Sequence, residues 1–139
     1  MRLLTMARVL WKRARLRPRE TWTRAELVAH QSRSFEALRA FALGHSPFYR
    51  NLHKGLERAP LADLPVVTKA MLMSHFDEIV TDRSIHLAEL ERYLEGLRGD
   101  QLFHGRYWVA ATSGSSGMKS IVPSNAQEWT TIVASYARE

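Results

Sequence analysis

One stretch limits the fold more than any other. Tyr107-Trp108-Val109-Ala110-Ala111 is aromatic and apolar throughout, the composition of a strand. A glycine- and serine-rich segment follows at once, Thr112-Ser113-Gly114-Ser115-Ser116-Gly117, and then a short apolar pair, Ile121-Val122, that can form a second strand. Almost everything ahead of this region has helical periodicity. The expected fold class is therefore an α/β fragment, a mostly helical N-terminal region leading into the first strands of a sheet. A strand apolar on both faces belongs inside a covered sheet. Supplied with one partner at most, it is expected to leave the isolated chain prone to self-association.

The helices can be placed from stripes and caps. Over residues 3–16, Leu3, Leu4, Ala7, Leu10, Trp11 and Ala14 share one stripe at 100° per residue, and Pro18 ends the segment. Thr23-Arg24-Ala25-Glu26 is a capping box that opens a helix running to Leu43, with Gly44 as a stop. Ser46-Pro47-Phe48-Tyr49 starts a short helical stretch ending near Gly55, and Pro60 and Pro65 bracket an extended connector. Thr68 caps a helix over 69–76. Leu87, Leu90, Leu94 and Leu97 mark another over 86–97. Ser124-Asn125-Ala126-Gln127 reads as a capping box for a last helix, from 125 to the end.

Charge divides the chain. Residues 1–58 carry 13 Lys/Arg against 4 Asp/Glu, whereas 59–139 carry 7 against 10, within an overall +6. The basic character belongs to the first segment, so the chain divides into a basic amphipathic helix, 1–19, and the remainder, 20–139. The expected arrangement packs the helix on the domain with its charged face in water, and removal of 1–17 is expected to leave the rest intact. Attachment to an anionic membrane surface and nucleic-acid binding are the alternatives, although no recognition motif accompanies the charge. The Arg-rich, acid-poor start also has the composition of an organelle presequence, without a cleavage-like break. No apolar run approaches the ~20 residues of a membrane span. The 139 residues contain no cysteine, which removes disulfides and thiolate metal sites and fits a reducing, cytoplasmic setting.

The segment Thr112–Gly117 carries the chemistry. Its glycines permit positive φ and close approach of the backbone to a ligand. Successive amides can form an anion-binding concavity, and the hydroxyls of Thr112, Ser113, Ser115 and Ser116 add small donors. A Walker A loop would require glycine at 113 and 118, where Ser113 and Met118 stand. No serine has glycine two residues away on both sides, so there is no nucleophile elbow. On composition alone a plain flexible Gly/Ser loop remains open.

Thr112–Gly117 resembles the Ser/Thr/Gly-rich phosphate loop of the adenylate-forming superfamily. Leu64-Pro65-Val66-Val67-Thr68-Lys69, Phe76-Asp77, Val80-Thr81-Asp82-Arg83, Ser46-Pro47-Phe48-Tyr49 and the helical lead-in with Gln31 narrow the likeness to phenylacetate–CoA ligase-like enzymes. The resemblance covers most of 20–139. It implies a partial N-terminal domain ending just after the phosphate loop, and the first strands of the large domain of such an enzyme. It also implies ATP with Mg2+ as cofactor, a carboxylic acid as substrate and coenzyme A as a possible acceptor. Thr112, Ser113, Gly114, Ser115, Ser116 and Gly117 would be the nucleotide-phosphate contacts. The superfamily loop continues x-Pro-Lys-Gly. This chain continues Met118-Lys119-Ser120, so no contact is carried over to Lys119. In the family the adenine, ribose, Mg2+ and acyl sites lie further along the chain, and 139 residues alone are expected to be inactive.

The six histidines form no metal-ligand spacing; His75 with Asp77 comes nearest, and no metal site is expected. Asp77, Glu78 and Asp82 read as a solvated helix end, and Trp11, Trp22, Trp108 and Trp129 as core packing.

Overall fold

The computed structural model describes residues 3–112 and 119–136. In chain order the helices are α1 (Leu3–Leu16), α2 (Arg24–His45), α3 (Pro47–Leu52), α4 (Lys69–Ser74), α5 (Phe76–Ile79) and α6 (Leu87–Gly96). The strands β1 (Tyr107–Ala111) and β2 (Ile121–Asn125) and the helix α7 (Ala126–Tyr136) complete the order. Short 3-10 turns cover Arg17–Thr21 and Leu61–Asp63. The second of these replaces the extended connector expected between Pro60 and Pro65. The chain is thus mostly helical, and β1 and β2 pair antiparallel as a two-stranded sheet, with Tyr107 opposite Asn125 and Ala111 opposite Ile121.

Local signals account for most element starts. The Thr23 hydroxyl accepts from Glu26 N at 3.3 Å while the Glu26 carboxylate accepts from Thr23 N at 2.8 Å, which closes the capping box of α2. Thr68 Oγ1 accepts from Met71 N and starts α4. The helix expected over 69–76 breaks at His75, and α5 begins separately. The box at α7 sits one residue later than its sequence pattern indicates. Asn125 Oδ1 accepts from the amides of Gln127 and Glu128, and Glu128 Oε2 accepts from Asn125 N at 2.7 Å. Ser124 cannot serve because β2 extends through it and buries it opposite Trp108.

The core is a cluster of Phe76, Ile85, Leu90, Phe103, Tyr107 and Ile121, with Met73, Leu94 and Val109 packed against it. It joins α5, α6 and the two strands. Ser46, fully buried, donates its hydroxyl to Glu78 O at 2.9 Å and fastens the start of α3 to α5.

Helix α1 packs along α7 with Val9 buried, in line with the expected packing on the domain, but a different side from the expected one faces inward. The side turned inward is the side that bears Val9, with Thr5, Lys12 and Leu16 half-buried beside it. The apolar stripe lies on the opposite side: Ala7, Leu10, Trp11 and Ala14 are exposed. Trp11 therefore packs no core, whereas Trp108 and Trp129 stack with ring centroids 5.9 Å apart and hold β1 to α7.

Candidate functional site

Of the residues proposed to contact phosphate, Thr112 is described; Ser113, Gly114, Ser115, Ser116 and Gly117 lie outside the described residues. The structure does show how the ends of this segment are held. Ala111 pairs with Ile121, so residues 112–120 connect two antiparallel strands. At the base, Thr112 N donates to Ser120 O at 3.0 Å, and Ser120 N donates to Thr112 Oγ1 at 3.0 Å. A threonine in this place closes the connection with its side chain as well as its backbone.

Lys69 adds charge at the same point. Its ammonium donates to Thr112 Oγ1 at 3.5 Å, a reach of 43 residues along the chain. Thr68 makes this possible by capping α4, which places Lys69 at the first helical position beside the hairpin. With both lone pairs of Thr112 Oγ1 engaged, its O–H remains the group that can donate. An open pocket of ≈ 680 Å³ lies nearby, lined by apolar Met73, Leu94 and Ile121 together with Glu91, Glu95 and Lys119. Its two carboxylates disfavour an anion there, and Lys69 favours one beside Thr112.

The strand that leads into this segment is anchored at its first residue by Asp82. Asp82 Oδ2 accepts from the Tyr107 hydroxyl at 2.5 Å and from Arg106 Nη2 at 2.6 Å, and Oδ1 accepts from the amide and hydroxyl of Ser84. These bonds, the Tyr107 hydroxyl foremost, hold the Asp82 carboxyl far below the usual carboxylate range. Burial, and then the same bond to Asp82, raises the Tyr107 phenol.

Asp77 has a different task. Its Oδ1 accepts from Leu87 N at 2.8 Å, capping α6 from ten residues upstream, and its Oδ2 meets His86 Nδ1 at 3.0 Å. The bond from Leu87 N is the main reason its carboxyl is lowered. Asp77 and Asp82 are therefore tethers of the fold rather than a solvated helix end. His75 pairs with Glu78 at 3.2 Å and not with Asp77. Among the described residues no three His, Asp or Glu side chains converge as a metal site.

The spacing Asp82-Arg83-Ser84 is an Asx-turn signature and could have marked Asp82 as a local acceptor. Nothing local to Lys69 signals its contact with Thr112, because only the folded chain brings the two together. Among the described residues no helix is long and apolar enough to cross a membrane. Comparison with family models, characterised proteins and solved structures gives no match.

Proposed function

We propose that the hairpin of β1 and β2 presents the phosphate loop of an ATP-dependent, carboxylate-activating enzyme of the phenylacetate–CoA ligase type. Thr112, Ser113, Gly114, Ser115, Ser116 and Gly117 would contact the β- and γ-phosphates. The supporting observation is the base of the connection. A Gly/Ser segment resembling that loop is held at both ends by antiparallel strands and flanked by the Lys69 ammonium. Small donors on a closed base, with a fixed cation beside them, suit an anion of high charge density.

In the proposed reaction a carboxylate oxygen attacks the α-phosphorus of Mg2+-bound ATP. The bond from that phosphorus to the bridging oxygen breaks, and pyrophosphate leaves as the acyl-adenylate forms. Coenzyme A is the proposed thiol acceptor; its sulfur then displaces AMP. The loop and Lys69 hold the departing phosphates. They do not orient the attacking acid, and positioning and charge stabilisation must act together for such a displacement. The isolated chain therefore binds phosphate weakly and does not turn over.

Titration of the chain with pyrophosphate, followed through the amide signals of Thr112, Lys119 and Ser120, tests the site. Signals moving at about millimolar ligand, and a several-fold weaker response in Lys69→Ala, are expected. Unmoved signals would defeat the proposal. An ATP–pyrophosphate exchange assay over a panel of carboxylic acids should give no acid-dependent signal.

A further inference from the structure

The outward side of α1 combines two properties that rarely occur together on a free surface. Its apolar residues face away from the fold: Met6, Leu10 and Trp11 are 42%, 57% and 60% exposed, with Ala7 and Ala14 exposed beside them. Around them stands a one-sign charge field. Residues 1–19 contain seven Lys/Arg and no acidic residue. Arg15 lies over the Trp11 ring at 4.8 Å, and Arg19 lies 5.3 Å from the Trp22 ring. The helix is held in this orientation by Val9 on α7, so the stripe is presented by the folded molecule and is not waiting to turn inward.

We infer that α1 is a docking surface for an anionic lipid bilayer, lying in the plane of the headgroups with Leu10 and Trp11 in the acyl boundary. Charge selects this occupant. A second copy would bring an equal field of arginines against the first, and like charges oppose that contact. Nucleic acid would satisfy the arginines but leave the apolar stripe in water. An anionic bilayer satisfies both: phosphate headgroups for the cations and hydrocarbon for the stripe. An indole ring with a neighbouring guanidinium suits the interfacial layer, where one end of the side chain is apolar and the other wet. The inference does not depend on the phosphate-loop proposal, since α1 contributes no residue to the β1–β2 hairpin.

The test is flotation of the full chain with phosphatidylcholine vesicles, with and without phosphatidylserine. Binding should require phosphatidylserine and weaken as salt rises. Lipids brominated near the headgroup should quench Trp11 fluorescence, read as the difference between the native chain and Trp11→Phe. The double variant Leu10→Glu/Trp11→Glu should keep the native circular dichroism, because both side chains are exposed, and should partition roughly tenfold or more weakly. Absence of binding to phosphatidylserine vesicles at low salt would overturn the inference. So would equal binding of the double variant, which would reduce the effect to charge alone. A dimer in sedimentation that the double variant abolishes would assign the face to a second copy. Tighter binding to duplex DNA than to vesicles, unaffected by the double variant, would assign the charge to nucleic acid.

Discussion

Protonating Asp82 would remove the acceptor that Tyr107 and Arg106 share, and with it the tether at the start of β1. Its carboxyl is depressed from an unfolded value near 3.8. A depressed carboxylate stabilises the fold fully at neutral pH, and that contribution fades as pH falls from about 5 through the folded value. Asp77 shifts in the same direction through its bond from Leu87 N, so acid weakens both tethers together. The raised Tyr107 phenol has the opposite sign: its contribution is complete below about pH 10 and is lost as pH rises beyond the folded value. Thermal melts of the native chain and Asp82→Asn from pH 7 to pH 3 should show this. The variant should be less stable by roughly 1–2 kcal/mol at pH 7, reduced from a buried pair because the site is partly solvated. The gap should narrow toward pH 3, where the unfolded carboxyl takes up a proton while the folded one still holds its charge. A gap that widened on acidification would reverse the sign of this account.

At the scale of elements, the starts were legible wherever one side chain sets them. Thr23 with Glu26, and Thr68, are caps readable three residues apart, and the composition of Tyr107–Ala111 announces its strand. Asn125 took over from Ser124 because a neighbouring strand claimed Ser124, and pairing between segments is not written in a window of four residues. Helix α1 shows the same limit. Its periodicity identifies the apolar stripe correctly, but a stripe does not name the face that a partner covers. Here one β-branched residue, Val9, buries against α7 while the larger side chains stay outside. Val9→Ala should cost roughly 1–2 kcal/mol, measured by urea denaturation, and removal of 1–17 should cost more by also baring α7. An unchanged midpoint after that deletion would restore the view of residues 1–17 as dispensable. At the candidate site, the Gly/Ser segment stood out by composition. The Lys69–Thr112 contact did not, because it is created by the packing of α4 beside the hairpin.

For the whole molecule, stability is concentrated toward the second half, where Leu90, Ile85 and Phe103 close the core between α6 and the strands. Helix α2 is built otherwise. It spans roughly 33 Å, and none of its residues is buried. Its C-terminal end is bound tightly: Arg39 donates to the carbonyls of Glu57 and Ala59, and Arg50 donates to those of Leu43 and Gly44. Toward the other end, Trp22 and Arg19 meet His30 at an exposed contact. Such a rod opens from its loose end. Deuterium should enter the amides of residues 27–34 through local fraying well before those of 40–45, producing a gradient along a single continuous helix. Uniform protection along α2 would mean that the helix opens only as a unit. With the gradient present, a protease given brief access to the native protein would cut first within Arg24–Arg33, leaving the core and the hairpin joined in one resistant piece.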